Sequence, residues 1–266
     1  MDAALVIVDV LMDALRGKIE SEETTIRILD PTCGSGTFLA LALMAWWGNE
    51  GSSSANLEVT GIDSNPKCSH GTIRNLKHLF PHHCTEENSL GHLGDDVRRW
   101  TLILNKPDAP LSTGSSSRAT IHAEDSVRLR SFVTGEKFDC AVANLPWNRN
   151  TFEFQGRGDD KLVNDGILHA TAGALKPGSP LVVVSGGHRD EQGGQTEEGP
   201  EISFNARECL ERMGFVVLGE ASVPPRGFQL PASGKKGNLP GLVAKDGKVQ
   251  RNSDCWVTVA IAPNEI

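Results

Sequence analysis

Residues 26–39 read IRILDPTCGSGTFL, and this stretch decides the fold. The apolar run at residues 26–30 is typical of a strand, and Gly34 and Gly36 indicate a tight turn. Residues 37–47 are rich in Leu and Ala, which favours a helix. A strand that passes through a glycine turn into a helix is the repeating unit of an open α/β sheet, which binds ligands where its strands end.

Outward from this stretch, the chain keeps alternating between strands and helices. Further strands are predicted at residues 57–63, 119–123, 138–143, 181–185, 214–220 and 255–262. Helices are predicted at residues 65–80, 161–175 and 202–213. The pattern predicts a doubly wound, mostly parallel seven-stranded α/β sheet. The last strand is predicted to be antiparallel, because no clear helix separates it from the strand before it.

The length and composition of the chain fit one domain. We interpret residues 1–266 as a single domain with a short N-terminal helix (1–18) and a long loop (223–253). Shorter loops are predicted at residues 49–56, 104–118 and 186–200.

Several features indicate the compartment. No apolar run approaches the roughly 20 residues that span a bilayer, and the N-terminus lacks the basic flank and cleavage site of a signal peptide. The six cysteines form no CxxC pair, which favours reduced thiols over disulfides. The sequence therefore predicts an intracellular protein, in cytoplasm or nucleus, with no membrane partner.

The glycine turn favours a ligand site. A dinucleotide loop would carry a third glycine at position 39, where this chain has Leu39, and the Gly-Lys-Ser/Thr of a Walker loop is absent. A tight turn without a ligand is the alternative. The preceding Asp30 and Pro31, together with the strand-to-helix context, favour ligand binding.

Two acidic positions follow neighbouring strands. Asp63 ends the second strand, where a carboxylate can accept hydrogen bonds from both hydroxyls of a ribose. The alternative is that Asp63 or Ser64 caps the next helix. Glu124-Asp125 follows the third strand, and a carboxylate there can accept from the exocyclic amine of an adenine, although such an acidic residue is a weak signal by itself.

The fourth strand ends in Asn144-Leu145-Pro146-Trp147. A side-chain amide oxygen and a backbone carbonyl can together hold the N–H groups of an exocyclic amine, and a flat aromatic can stack on the base. The alternative is a strand-ending turn with a core tryptophan. The scattered Cys and His residues between 68 and 84 lack the paired spacing of a zinc site, so no metal is predicted.

Residues 30–39 resemble the S-adenosylmethionine loop of class I methyltransferases. More narrowly, they resemble the Asp-Pro-x-Cys-Gly-Ser-Gly form of the guanine-N2, THUMP-associated RNA methylases. Residues 144–147 resemble the Asn/Asp-Pro-Pro-aromatic motif of amino-methyltransferases, with Leu145 in place of the usual proline and Trp147 in place of Tyr or Phe. The resemblance covers residues 26–220.

The resemblance implies S-adenosylmethionine as cofactor and a strand order of 3-2-1-4-5-7-6. It implies that Asp63 holds the ribose and Asp125 the adenine. The rest of the cofactor would be held by Asp30, Pro31, Cys33, Gly34, Gly36 and Thr37. The target amine would be received by Asn144 and the Leu145 carbonyl, beside Pro146 and a stacking Trp147.

The expected reaction is methylation of an exocyclic nucleobase amine, in tRNA or rRNA at guanine N2 or adenine N6. The net charge of −8 argues against strong unaided binding of nucleic acid. Because relatives often carry an RNA-binding domain ahead of the catalytic one, a partner protein that supplies RNA binding is a further expectation. The alternatives are methylation of DNA, a protein amide or a small molecule, and a non-catalytic partner subunit.

Overall fold

The computed structural model of the chain describes residues 7–13, 15, 25–48, 56–80, 84–87, 99–105, 116–133, 135, 137–146, 160–186, 205–223 and 255–264. Its strands are β1 (Thr25–Asp30), β2 (Asn56–Ile62), β3 (Cys84–Glu87), β4 (Arg99–Asn105), β5 (Ser116–His122), β6 (Cys140–Asn144), β7 (Pro180–Gly186), β8 (Val216–Val223) and β9 (Cys255–Ile261). Its helices are α1 (Thr37–Gly48), α2 (Pro66–Leu79), α3 (Leu129–Phe132), α4 (Asp160–Ala174) and α5 (Ala206–Arg212).

The strands of the described chain form one sheet in the order β3-β4-β5-β2-β1-β6-β7-β9-β8. Strands β5, β2, β1, β6 and β7 run parallel, and β9 is antiparallel to both of its neighbours, β7 and β8. Without β3 and β4, this is the predicted order 3-2-1-4-5-7-6. The doubly wound α/β fold with an antiparallel last strand is therefore confirmed.

Two antiparallel strands, β3 and β4, extend the sheet beyond the prediction. The loop predicted at residues 104–118 is wrong at both ends, because β4 runs to Asn105 and β5 begins at Ser116. Trp100 of β4 is buried, and its ring lies 4.9 Å from the ring of His70 on α2. Strand β4 therefore contributes to the core.

Helices cover both faces of the sheet. On one face, α1, α2 and the helical residues 7–13 pack into a core that includes Leu11, Leu43 and Leu76. On the other face, α4 and α5 contribute Leu168 and Leu210 to a second core. Burial on both faces explains why the central strands are apolar along their whole length.

Several predicted segments extend past the described residues. Residues 7–13 and 15 of the predicted N-terminal helix are helical, and the rest of residues 1–18 lies outside the described chain. The predicted loop at 223–253 lies outside it too, apart from Val223 at the end of β8. Within the described ranges, no helix is long and apolar enough to cross a membrane.

Gly61 near the end of β2 sets how closely α1 packs on the sheet. A Cβ at this position would lie 2.6 Å from Leu39 Cδ1 and 3.1 Å from the Cβ of Cys33. Leu39 is fully buried, so it has no room to move aside. The lack of a side chain at Gly61 therefore lets α1 and the glycine turn contact β2 directly.

We expect Gly61→Ala to destabilise the protein by about 1–3 kcal/mol, because the added methyl overpacks a closed part of the core. The matched control is Gly71→Ala in α2, where an added Cβ meets nothing within 4 Å. This control should stabilise the protein by about 0.5–1 kcal/mol through its better helix propensity. Urea unfolding measures both changes, and a Gly61→Ala protein as stable as the wild type would contradict the close packing.

Candidate functional site

The predicted site residues gather along one edge of the sheet. Asp30 ends β1, Asp63 follows β2, Asp125 follows β5 by three residues, and Asn144 ends β6. These four strands are adjacent and parallel, so their carboxyl ends lie side by side. The topology therefore brings three acidic residues and one amide to the edge where open α/β sheets bind ligands.

Between β1 and α1 the chain forms a glycine loop, residues 31–36. Gly34 and Gly36 have φ values of 53° and 81°, a region that residues with a Cβ rarely adopt. The Gly36 amide donates to the Cys33 carbonyl at 2.7 Å, and the Cys33 amide donates to the Ile62 carbonyl at 2.9 Å. The loop is thus closed on itself and fastened to the end of β2.

The close approach of α2 also requires a glycine at position 36. A Cβ on Gly36 would lie 2.6 Å from Cγ2 of Thr72 on α2, and Thr72 is fully buried. By contrast, among the described residues a Cβ on Gly34 would meet nothing closer than the Thr32 carbonyl oxygen at 4.0 Å. Helix α2 therefore supports the loop at Gly36, and the space beside Gly34 is open to a ligand.

Three side chains that the sequence reasoning missed hold the carbonyls of the glycine loop. The Thr72 hydroxyl donates to the Gly34 carbonyl at 2.8 Å, and Asn75 Nδ2 donates to the Ser35 carbonyl at 3.0 Å. The Ser126 hydroxyl donates to the Pro31 carbonyl. These residues lie far from the loop in sequence and belong to no motif, so only the tertiary structure identifies them.

The Asp63 carboxylate is held by backbone amides on both sides. Its Oδ2 accepts from the Gly34 amide at 3.0 Å, and its Oδ1 accepts from the Asn65 amide at 2.8 Å. Burial raises the pKa of Asp63, and these two bonds oppose that rise. Asn65, rather than Asp63 or Ser64, caps α2 by accepting from the Lys67 amide. The Asp63 side chain is therefore free of the capping role and faces the glycine loop.

Asp30 is a fully buried carboxyl group. Its Oδ1 accepts from the Thr32 amide at 3.1 Å, whereas Asp30 Oδ2 and Thr32 Oγ1 are buried without a hydrogen-bond partner in the described part of the chain. Burial raises the pKa of Asp30 to about 8, and the nearby Asp63 carboxylate adds to the rise. A cation or hydrogen-bond donor bound here would satisfy both atoms.

Asp125 caps the short turn that follows β5. Its Oδ1 accepts from the Val127 amide at 3.0 Å, so the turn Ser126–Arg128 is fixed at its start. The backbone also links this segment to the second strand, because the Asp63 amide donates to the His122 carbonyl at 3.1 Å. Asp125 thus lies at the predicted edge, with one carboxylate oxygen committed to the turn.

The strand-ending motif lies beside the glycine loop, because β6 is the neighbour of β1. Asn144 is half-buried, and Leu145 is buried in the second core. The Leu145 amide donates to the Val184 carbonyl at 2.9 Å, a bond that proline could not make. This bond explains the leucine at that position: it extends the pairing of β6 with β7. Trp147 lies outside the described residues.

No group of three or more His, Cys, Asp or Glu side chains within the described ranges is arranged to hold a metal ion. Cys33 lies in the glycine loop, where burial raises the pKa of its thiol well above the usual range. The thiol is therefore neutral at physiological pH.

No protein-family model and no curated protein matches the chain. Its fold is similar to that of a Listeria monocytogenes protein assigned to the class I S-adenosylmethionine-dependent methyltransferases, with a TM-score of 0.52 and 11% identity. The match covers 100% of this chain and 61% of the other, so the chain spans less than two thirds of that protein.

Two further solved structures lie at lower similarity. An rRNA methylase from Streptococcus thermophilus has a TM-score of 0.47 and 11% identity, over 95% of this chain and 96% of the other. TrmN from Thermus thermophilus has a TM-score of 0.46 and 15% identity, over 96% and 48%. The chain therefore has the doubly wound fold seen in the Listeria protein, and at these identities the likeness establishes the fold alone.

Proposed function

We propose that the chain is a methyltransferase that transfers a methyl group from S-adenosylmethionine to an exocyclic amine of a nucleobase in RNA. The observation that carries the proposal is that two features of the site lie at the ends of adjacent strands. The glycine loop is hydrogen-bonded to Asp63 at the ends of β1 and β2, and the Asn144–Pro146 motif ends the neighbouring β6. A loop for the methyl donor thus lies beside acceptors for an amine.

The residues of the glycine loop fit this cofactor. The buried, unpartnered oxygens of Asp30 and Thr32 offer acceptors for the ammonium group of its methionine part. Asp63 would hold the ribose, because each carboxylate oxygen can accept a second hydrogen bond beside the one it already takes. Asp125 would hold the adenine in the same way. The cofactor would approach the backbone of the loop closely at Pro31, Cys33, Gly34, Gly36 and Thr37.

Asn144 and the Leu145 carbonyl would position the amine. The lone pair of an exocyclic amine is delocalised into the base, so the amine is a weak nucleophile. Acceptors for its two N–H groups hold the nitrogen in line for attack and stabilise the positive charge that develops on it. When bound, S-adenosylmethionine supplies the methyl group on a sulfonium, and S-adenosylhomocysteine leaves as the new C–N bond forms. The methylated nitrogen then loses a proton to water.

The preferred substrates are guanine N2 or adenine N6 in tRNA or rRNA. Because the chain has a net charge of −8, we propose that a partner protein contributes RNA binding. An intracellular location, in cytoplasm or nucleus, follows from that substrate.

Cofactor affinity should depend on pH through Asp30. Its pKa of about 8 means that the carboxyl is mostly protonated at neutral pH in the absence of ligand. An ammonium beside it favours the ionised form, so binding releases a proton. The affinity for S-adenosylmethionine should therefore rise by up to about tenfold per pH unit between about pH 6 and pH 8 and then level off.

Calorimetric titrations of the wild type and Asp30→Asn across this range measure the effect. The Asp30→Asn variant should lose the part of the pH dependence that comes from the carboxyl group. Ionisation of the ligand contributes equally to both proteins and therefore cancels in the comparison. If affinity changed with pH equally steeply in the two proteins, the result would contradict a direct role of Asp30 in binding.

The transfer reaction is tested with tritium-labelled S-adenosylmethionine and modification-free tRNA and rRNA transcribed in vitro. We expect label in the RNA, and we expect Asn144→Ala to lower kcat/KM by about 100-fold or more through loss of a positioned acceptor. The affinity for S-adenosylmethionine should stay within about twofold, since Asn144 lies outside the glycine loop.

Label that appears only in DNA, in protein or in a small molecule would contradict the RNA substrate and would assign the substrate to that class instead. A wild type that binds the cofactor and labels no substrate, even at low ionic strength and at RNA concentrations that make a partner's contribution to binding unnecessary, would support the non-catalytic partner subunit instead.

A further inference from the structure

Asn164 of α4 reaches the strand-ending motif from another part of the chain. Its Nδ2 donates to the Pro146 carbonyl at 3.5 Å. Because a carbonyl oxygen only accepts, this contact fixes the orientation of the amide: Nδ2 faces Pro146 and Oδ1 faces away from the Pro146 oxygen. A reversed amide would set two oxygens against each other.

The other end of the same amide has no partner. Asn164 Oδ1 is buried without a hydrogen-bond partner in the part of the chain that the structure describes. A buried, unpaired amide oxygen costs free energy, and such groups in native proteins call for a specific explanation. A donor that arrives with a ligand would remove this cost.

Helix α4 is held at a fixed distance from the glycine loop. A Cβ on Gly166, two residues after Asn164, would lie 3.1 Å from Val127 Cγ2. The helix therefore packs closely on the turn that contains Val127 and Ser126, and Ser126 donates to the Pro31 carbonyl. This chain of contacts joins the proposed cofactor loop to the helix that carries Asn164.

Resting on the proposed function, we propose that Asn164 completes the methyl-acceptor site. Its Nδ2 holds the Pro146 carbonyl and so keeps in place the strand end at which Asn144 and the Leu145 carbonyl receive the amine. Its Oδ1 accepts a hydrogen bond from an N–H or O–H group of the substrate. The site therefore selects bases that present a hydrogen-bond donor at this position.

Three variants test this role in the transfer assay with modification-free tRNA and rRNA transcripts. Asn164→Leu keeps the size of the side chain and removes both hydrogen bonds, so kcat/KM should fall about ten- to hundredfold. The matched control is His169→Ala on the same helix, where the side chain is exposed, and its kcat/KM should equal that of the wild type. The affinity of every variant for S-adenosylmethionine should stay within about twofold of the wild type, because neither substituted side chain is hydrogen-bonded to the glycine loop.

Asn164→Asp supplies a readout that a merely structural role would not move. At about pH 8 its carboxylate faces the Pro146 carbonyl without a donor, so activity should be low. As the pH falls toward about 5, a growing fraction is protonated and can donate to Pro146 again. The activity of this variant relative to the wild type should therefore rise as the pH falls, whereas the relative activity of Asn164→Leu should stay constant.

Each outcome decides between the two proposals. Wild-type kcat/KM in Asn164→Leu overturns the role of Asn164 and leaves the proposed function standing. A flat relative pH profile for Asn164→Asp overturns the hydrogen bond to Pro146. The assay uses low ionic strength and transcript concentrations high enough to replace a partner's contribution to RNA binding. If the wild type binds S-adenosylmethionine and labels no transcript under these conditions, the RNA methyltransferase proposal fails, and the role of Asn164 fails with it.

Discussion

The hydrogen bond from the Gly34 amide to the Asp63 carboxylate joins two strand ends that are separate in sequence. It aligns the glycine loop after β1 with the residue that follows β2, and side chains from α2 and from the turn after β5 then hold the loop carbonyls. Since these bonds are all made within the protein, little ordering of the loop remains to be done on binding. Preorganisation of this kind lowers the entropic cost of association.

The Asn144–Pro146 motif is supported by a strand and a helix. Leu145 continues the pairing of β6 with β7, so the residue after Asn144 is part of the sheet rather than of a loose turn. Helix α4 supports the next residue through Asn164, and its close contact at Gly166 ties it to the turn that also touches Pro31. The glycine loop and the Asn144–Pro146 motif are therefore connected through packed side chains.

The features that could be predicted from the sequence are those that follow a repeating pattern or a local motif. The seven strands and the positions of Asp30, Asp63 and Asn144 at one edge follow from alternating apolar runs and glycine chemistry, whereas the strand order came from the resemblance to class I methyltransferases. Strands β3 and β4 were not predicted, although the run RWTLILN of β4 is typical of a strand, because seven strands already completed the expected sheet. Thr72, Ser126 and Asn164 act through tertiary contacts that no local spacing encodes. The role of Trp147 stays a prediction, since that residue lies outside the described chain.

The most direct measurement is a calorimetric titration of S-adenosylmethionine into the wild type, Asp63→Ala and Asp63→Asn. The wild type should bind, and Asp63→Ala should weaken binding by about 1.5–3 kcal/mol through loss of a charged acceptor. Asp63→Asn keeps an oxygen for the Gly34 amide, so it should bind with intermediate affinity. No binding to the wild type, or equal binding to all three proteins, would contradict the assignment of this loop and carboxylate as the cofactor site.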